Sequence, residues 1–335
     1  MISLAENRYG KSRVRVVRVK RHPDRHDFRE WTLEILLEGD FDPCFVDGDN
    51  SKILPTDTLK NTVYSLARSS MAECMEEFGK ELIAFLLDRN PQVSAARVIL
   101  SEKAWEHLYT GGKPHPTTFV QSSTECQTAE IAATRNGMPS VRSGLENLVI
   151  LKTAGSEFVG FIKDSLTTLP EATDRLFGSV VRARWNYSSP RVPFVALRSK
   201  IREILLSVFA AHTSKSVQHT LYAMSETVLA NVPEIEDIEL TMPNKHYLLV
   251  DLRALGRTTP MRSLCQSKSH TATSRHAFAG KVKAPCQRLG MQKFAQKRLS
   301  LAARDWRLSR KTRVARAGRS SLRRCVIVTR RSRSG

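Results

Sequence analysis

Hydrophobic and polar residues alternate over residues 8–41, and this two-residue period predicts a long β-hairpin. Val14, Val16 and Val19 are interleaved with Arg and Lys, and a second alternating run begins at Trp31. Between the two runs, adjacent Pro and Asp residues favour a turn. Successive side chains of a strand point to opposite faces, so each strand of this hairpin has one apolar face to bury.

The pattern then changes to the three- and four-residue spacing that is typical of helices. One helix is predicted to begin near Thr58, and a second is predicted at about 75–89. Because Thr and Asp side chains accept hydrogen bonds from free backbone amides, Thr56 or Asp57 is expected to cap the first helix. Alternating runs at about 93–108 and 116–133 then predict two further strands.

The same succession of elements recurs in the second half, so a β-β-α-α-β-β pattern occurs around 8–137 and again around 141–252. This duplication predicts an α+β fold with antiparallel sheets. The proposed boundaries are a first unit at 1–138, a second at 139–256 and a remaining segment at 257–335. The second unit is predicted to contain strands at 144–153 and 178–187, helices at 194–212 and 216–231, and strands at 235–242 and 245–252.

Charge is distributed very unevenly along the chain. Residues 257–335 carry 22 of the 53 Lys and Arg residues and a single acid, Asp305, whereas residues 1–256 carry 31 basic and 32 acidic residues. The high pI of 10.1 therefore describes the last quarter of the chain. A basic segment of this kind attracts nucleic acid, and here we expect such binding to be non-specific.

Other sequence features narrow the class of protein. None of the six cysteines stands in a Cys-x-x-Cys motif, so we expect no metal site. The first residues lack the basic and apolar regions of a signal peptide, and no apolar run approaches the ~20 residues of a membrane span. The last three residues, Arg-Ser-Gly, are not a peroxisomal signal. We therefore expect a cytoplasmic protein without a membrane partner.

Four short motifs stand in a fixed order over about 240 residues. They are Tyr-Gly-Lys at 9–11, Thr-Asp-Thr-Leu-Lys-Asn at 56–61, Ser-Val-Gln at 216–218 and Pro-Asn-Lys-His-Tyr at 243–247. None of them is specific alone, but together they resemble the urate oxidase (uricase) family. The resemblance spans residues 8–252, and the motifs end shortly before the composition changes at Gly256.

The resemblance implies a fold, an assembly and an activity. The fold is a tandem tunnelling fold, in which antiparallel sheets of several subunits close into a barrel with the helices outside. The implied assembly is a homotetramer with active sites at subunit interfaces. The implied reaction is oxidation of urate by O2 and water to 5-hydroxyisourate and hydrogen peroxide, with no cofactor.

Urate is a flat anion, and its site needs an aromatic plate and a planar cationic clamp, for which Arg is suited. The resemblance assigns stacking to Phe158 and the grip on the purine edges to Arg175 and Gln218, with the backbone of Val217 beside them. Without this context, Phe158 would be interpreted as a core residue, Arg175 as part of a surface ion pair and Gln218 as a helix cap.

The resemblance also assigns a proton relay to Lys11, Thr56 and His246. It further implies that Asp57 contacts the purine and that Asn244 holds O2 or water above the purine plane. In the family the Thr-Asp pair comes from a neighbouring subunit. Lone histidines and strand lysines are more often structural or solvated, and the motif context is what favours these roles.

Two other classes of function stay open at this point. Another tunnelling-fold enzyme acting on a purine or pterin is one alternative, although such enzymes usually carry a zinc site or a different acid–base pair. A nucleic-acid-binding protein that uses residues 257–335 is the other. A third possibility is a pseudogene product that folds poorly and has no activity.

The basic segment has three explanations, which are a nucleic-acid-binding extension, a solvated tail and out-of-frame translation. Codons compatible with Arg257 to Cys265, shifted back by one base, spell Gln-Asp-Asn-Pro-Asn-Glu-Val-Phe-Val, which is similar to the usual C-terminal segment of the family. We therefore favour the third explanation. Sequencing the gene across codons 250–260 is expected to reveal a compatible shifted frame, and a single unambiguous frame would contradict it.

Overall fold

The computed structural model describes residues 4, 6–249, 252–257, 264–266 and 277–283, all of which lie in one compact unit, residues 1–286. The helices are α1 (Asp42–Val46), α2 (Thr56–Ser69), α3 (Met75–Arg89), α4 (Phe194–Ala211) and α5 (Val217–Asn231). The strands are β1 (Tyr9–Arg21), β2 (His26–Gly39), β3 (Val93–Lys103), β4 (Glu106–Thr110), β5 (Lys113–Val120), β6 (Cys126–Thr134), β7 (Ser140–Lys152), β8 (Phe177–Tyr187), β9 (Ile235–Lys245), β10 (Tyr247–Leu249), β11 (Leu264–Gln266) and β12 (Ala277–Lys283).

Eight of these strands form one antiparallel sheet in the order β1-β2-β3-β6-β7-β8-β9-β12. Its first four strands, with α2 and α3, form one β-β-α-α-β-β unit. Its last four, with α4 and α5, repeat that order. Pairing of β6 with β7 joins the two units into a continuous sheet. The α+β fold with antiparallel sheets is confirmed, and closure into a barrel stays a prediction.

Two strands of the second unit differ from the prediction at 235–242 and 245–252. β9 runs without a break to Lys245, and the short β10 that follows pairs with β11 outside the main sheet. The fourth strand of the unit is instead β12, which pairs with β9 from Ala277 opposite Pro243 to Lys283 opposite Asp237. A strand of the main sheet therefore comes from the basic segment.

The first unit also contains a feature that periodicity did not reveal. The segment predicted as one strand at 93–108 ends its pairing in the main sheet at Lys103, and β4 then forms a separate hairpin with β5. Helices agree more closely, since α3, α4 and α5 begin and end within one residue of the predicted bounds. None of the helices in the described ranges is long and apolar enough to cross a membrane.

One hydrophobic core lies on the face of the sheet that carries the helices. Trp31 and Trp185, one from each unit, have 0% and 1% of their surface exposed. The opposite face carries charged residues in pairs, such as Arg97 with Glu130 at 3.4 Å. This division into an apolar and a polar face explains the alternation of residues along the strands.

A buried ion pair connects the helices of the two units. Arg198 of α4 lies 3.5 Å from Glu76 of α3, and their side chains are 4% and 0% exposed. The hydroxyl of Ser143 on β7 donates a hydrogen bond to the same Glu76 carboxylate. An unpaired charge in an apolar interior has a high desolvation cost. Each charge of this pair therefore offsets part of the desolvation cost of the other.

Replacing Arg198 with Met is therefore expected to lower the free energy of unfolding by about 3–5 kcal/mol, because it leaves Glu76 charged and unpaired. The double change Glu76→Leu with Arg198→Met should cost clearly less than the single change. Urea unfolding measures both. Arg97→Met, which breaks a partly exposed pair, is the control and should cost less than about 1 kcal/mol. Equal losses for Arg198→Met and Arg97→Met would contradict this account.

Ending the chain after residue 256 removes β11 and β12, so that β10 loses its partner and the edge of β9 is left unpaired. The seven cross-strand residue pairs of β12 and β9 predict a loss of about 3 kcal/mol in the free energy of unfolding. Ending the chain after residue 286 keeps β12 and should leave that free energy unchanged. Urea unfolding of the two shortened chains tests this, and similar stability of both would show that β12 contributes nothing.

Candidate active site

Lys11 lies on β1, the first strand of the sheet, at an irregular point in the strand. Gly10 lies so close to β2 that a Cβ atom there would be 1.8 Å from the carbonyl oxygen of Ile35, so only glycine fits. The register with β2 shifts between Lys11 and Val14, and Arg13 has a positive φ of 58°. A bulge of this kind re-aims the neighbouring side chains, and Lys11 is half-buried.

Thr56 and Asp57 are the first two residues of α2, and both are exposed. Capping by Thr56 or Asp57 was a wrong expectation, because Pro55 occupies the N-cap position and no side chain caps the helix. The Asp57 carboxylate accepts a hydrogen bond from Lys60, which lowers its pKa, and the positive charge of Lys11 lowers it further. Lys11 and Asp57 therefore lie close enough to interact.

Tyr9 explains why these two segments lie together. Its hydroxyl donates to the carbonyl oxygen of Leu54 at 3.1 Å and accepts from the Leu54 amide at 2.8 Å. The ring meets Phe41 edge-to-face, with centroids 4.8 Å apart. Burial raises the pKa of Tyr9, so its hydroxyl keeps its proton. The tyrosine of the first motif thus fastens β1 to the segment that leads into α2.

Phe158 and Arg175 lie side by side on a loop between β7 and β8. The amide of Phe158 donates to the carbonyl of Ala172 at 2.7 Å, and the reverse bond is 3.1 Å, which brings the two ends of the loop together. The Arg175 guanidinium carbon lies 5.2 Å from the centroid of the Phe158 ring. Phe161 stacks nearly parallel to Phe158, with centroids 4.8 Å apart.

The charge of Arg175 has no counter-ion in the part of the chain that the structure describes. Its Nε is buried without a hydrogen-bond partner, and burial lowers the pKa of the guanidinium. The adjacent Asp174 carboxylate does not neutralise it, because that carboxylate accepts from the backbone amides of Ser156 and Arg175, each at 3.1 Å. A half-buried cation without a partner favours binding of an anion.

Val217 and Gln218 open α5, and the cap of this helix is the residue before them. The Ser216 hydroxyl accepts from the His219 amide at 3.1 Å, so capping is the role of Ser216 and not of Gln218. Val217 is 3% exposed, whereas the side chain of Gln218 is exposed. The end of α5 thus fixes Val217 in the core and presents Gln218 at the surface.

Ser214, which the motifs did not single out, links the Phe158 segment to α5. Its carbonyl accepts from the Glu157 amide at 2.8 Å, and its amide donates to the carbonyl of Gly155 at 2.9 Å. Its hydroxyl accepts from Thr220 at 2.8 Å. The stacking residue and the helix start are therefore held in one hydrogen-bonded unit. A short polar run between two predicted helices was the only signal in the sequence.

Asn244 and His246 lie at the end of β9. Asn244 is half-buried and pairs opposite Ser179 on β8, whose hydroxyl donates to the carbonyl of Pro243 at 3.0 Å. His246 follows the last residue of β9 and is exposed. The pairing with β8 fixes the backbone of Asn244, and His246 comes directly after the last paired residue, Lys245.

The predicted site residues therefore form two groups within one chain. One group, at β1 and α2, holds Lys11, Thr56 and Asp57. The other is built from the second unit and holds Phe158, Arg175, Val217, Gln218, Asn244 and His246. Five strands separate β1 from β9 in the sheet, a distance of about 29 Å along the sheet at the usual strand spacing. A single copy does not bring the two groups together.

Metal-binding side chains are not clustered in the described ranges. No group of three or more His, Cys, Asp or Glu side chains there has the arrangement needed to hold a metal ion. The chemistry that the described residues offer is a cationic clamp beside an aromatic ring in one group, and a lysine, a hydroxyl and a carboxylate in the other.

Comparison with known proteins gives consistent results. The uricase of Arthrobacter globiformis is 37% identical over 259 residues, which cover 77% of this chain and 84% of that protein. The uricase of Oryctolagus cuniculus is 37% identical over 254 residues, covering 74% and 85%. The crystal structure of the Arthrobacter globiformis uricase superposes with a TM-score of 0.76 at 33% identity, covering 88% of this chain and 98% of that one.

The sequence model of the uricase family matches residues 7–132 and 141–279. The match continues 23 residues past Gly256 and enters β12, so the resemblance extends further than the span of 8–252 that the motifs indicate. Sequence, fold and the order of the motifs agree over most of the chain, and the chain belongs to the uricase family.

Proposed function

We propose that this enzyme oxidises urate at sites that two copies of the chain assemble, each contributing one of the two groups of residues. Membership of the uricase family supports urate as the substrate. The separation of the two groups by five strands supports assembly from two copies. The finer claim, that the active assembly is a homotetramer, rests on the family resemblance.

The unpaired charge of Arg175 is the observation that carries the assignment of the substrate side. A half-buried guanidinium with a free Nε lies next to the ring of Phe158. A planar anion such as urate fits both side chains. Its ring stacks on the aromatic face, and its acceptor atoms match the planar set of donors of the guanidinium. We assign stacking to Phe158 and the grip on the purine to Arg175 and Gln218.

The second copy would supply Lys11, Thr56 and Asp57. β1 and β12 each have one neighbour in the main sheet and so leave an edge that another chain can pair. Docking the β1 edge of one copy near the β9 end of another would bring Lys11 towards Asn244 and His246. In this proposal, the association of copies that closes the barrel also brings the two groups of site residues together.

The reaction balances as urate plus O2 plus water giving 5-hydroxyisourate plus hydrogen peroxide. Urate loses a proton and two electrons, water supplies the hydroxyl group of the product and the second proton, and O2 gains two electrons and two protons. In this proposal Lys11, Thr56 and His246 move the protons, and Asn244 holds O2 or water over the ring. The remaining contribution of the protein is orientation of the reactants.

Complementation between variants tests the two-copy site. Lys11→Ala and Arg175→Ala are each expected to lower urate-dependent O2 consumption by about 100-fold or more, because each removes a group from every site. When the two variants are co-expressed, a mixed pair contains one site with both changes and one intact site. About one quarter of the wild-type activity should then return.

Lys20→Ala removes an exposed basic residue of the same strand and is the control, with activity expected to stay at the wild-type level. Inactive variants that fail to complement each other would show that each site lies within one copy. An inactive but well-folded wild-type chain would refute urate oxidation itself. The oligomeric state of the same samples shows whether assembly has occurred.

A further inference from the structure

Two histidines that have no role in the proposed reaction pair with each other beside the substrate residues. His212 follows the end of α4 and His219 lies in the first turn of α5. Nε2 of His212 is 3.2 Å from Nδ1 of His219, and the ring centroids are 4.4 Å apart. At this distance one ring donates an N–H to the lone pair of the other, so the pair needs one neutral acceptor nitrogen.

The pair links the two ends of the segment between α4 and α5. This segment contacts both predicted substrate-binding parts, the Phe158 segment and the start of α5. The residues between the two histidines include Ser214, which is fully buried and bonds to Glu157 of the Phe158 segment. They also include Ser216, which caps the helix that begins with Val217 and Gln218. Any loosening between His212 and His219 therefore acts on the stacking residue and on the start of α5 together.

The surroundings of the pair are unfavourable for additional positive charge. The Lys152 ammonium of β7 donates to the carbonyl oxygens of Phe209 and His212, at 3.2 and 2.5 Å. Burial, followed by the charges of His219 and Lys152, lowers the pKa of His212. His219 also lies at the positive end of the α5 dipole. No carboxylate among the described residues bonds to either ring.

We propose that the His212–His219 pair is a proton-sensitive positioning element that holds the purine-binding side of the site in place while at least one of its two rings is neutral. This inference rests on the proposed function, since it concerns the affinity for urate. A second proton removes the acceptor lone pair and places two imidazolium rings in contact beside Lys152. The hydrogen bond is then replaced by repulsion, and the connection between α4 and α5 separates.

The direction of the pH dependence follows from the need for one neutral acceptor ring in the pair. A histidine whose pKa is lowered on folding binds fewer protons folded than unfolded, so the contribution of the pair is complete above the ordinary histidine pKa of about 6.5 and is lost below it, as the pH falls through the lowered pKa of His212. We expect urate affinity to fall at acid pH, with little change in the rate at saturation, because neither ring touches the reacting groups.

The experiment measures urate binding in the absence of O2, where no turnover occurs, between about pH 8 and pH 5. His219→Gln keeps a side chain that can hydrogen bond to His212 but does not titrate. Over this range the wild-type dissociation constant should rise about fivefold more than that of His219→Gln, which corresponds to the loss of about 1 kcal/mol, one hydrogen bond. Titration of urate itself is common to all variants and cancels in the comparison.

His22→Gln is the matched control, since His22 bonds to Asp27 at 2.9 Å in the β1–β2 turn, and it should follow the wild-type curve. Parallel curves for the wild type and His219→Gln would overturn the proposal. A uniform loss of affinity in His219→Gln at every pH would also overturn it, because the pair would then be structural only. No urate binding by the wild type at pH 8 would instead refute the proposed function, which keeps the two failures distinct.

Discussion

Backbone pairing of β6 with β7 is the constraint on which the rest of the molecule depends. It places two β-β-α-α-β-β units end to end in one sheet, so that β1 and β9 lie far apart. The buried pair of Glu76 and Arg198 joins the same two units on the helix side. Because each unit carries some of the predicted site residues, this join keeps the two groups of one copy apart in the sheet.

Much of the fold could be predicted from periodicity because its helices and long strands have one apolar face each. The hairpin of β1 and β2 and the helices α3, α4 and α5 were predicted within a few residues of their bounds. The hairpin of β4 and β5 was not, since its residues are mostly exposed and lack a buried stripe. β12 was not predicted, because the segment around it was interpreted from its excess of positive charge. Its seven residues pair with β9 through the backbone, which composition does not reveal.

Site residues could be located by their motifs, but their physical state could not. Nothing in the neighbourhood of Arg175 in the sequence shows that its charge lacks a partner, because Asp174 is adjacent and is occupied by backbone amides only in the folded chain. The link through Ser214 likewise depends on contacts between segments about sixty residues apart. The roles of the nine predicted site residues stay predictions, and the structure adds that they divide into two groups.

β12 also has a consequence for how the C-terminal part of this sequence can vary. A strand at the end of a sheet is held mainly by main-chain hydrogen bonds, which make few demands on the identity of its side chains. β12 pairs with β9 in the sheet, but a long stretch of chain separates the two strands in the sequence. A chain that ends before β12 should accept this strand as a separate peptide, much as a fragment complements a split enzyme. We therefore expect changes in this segment to be tolerated where the strand keeps its pairing with β9 and its contact with α5.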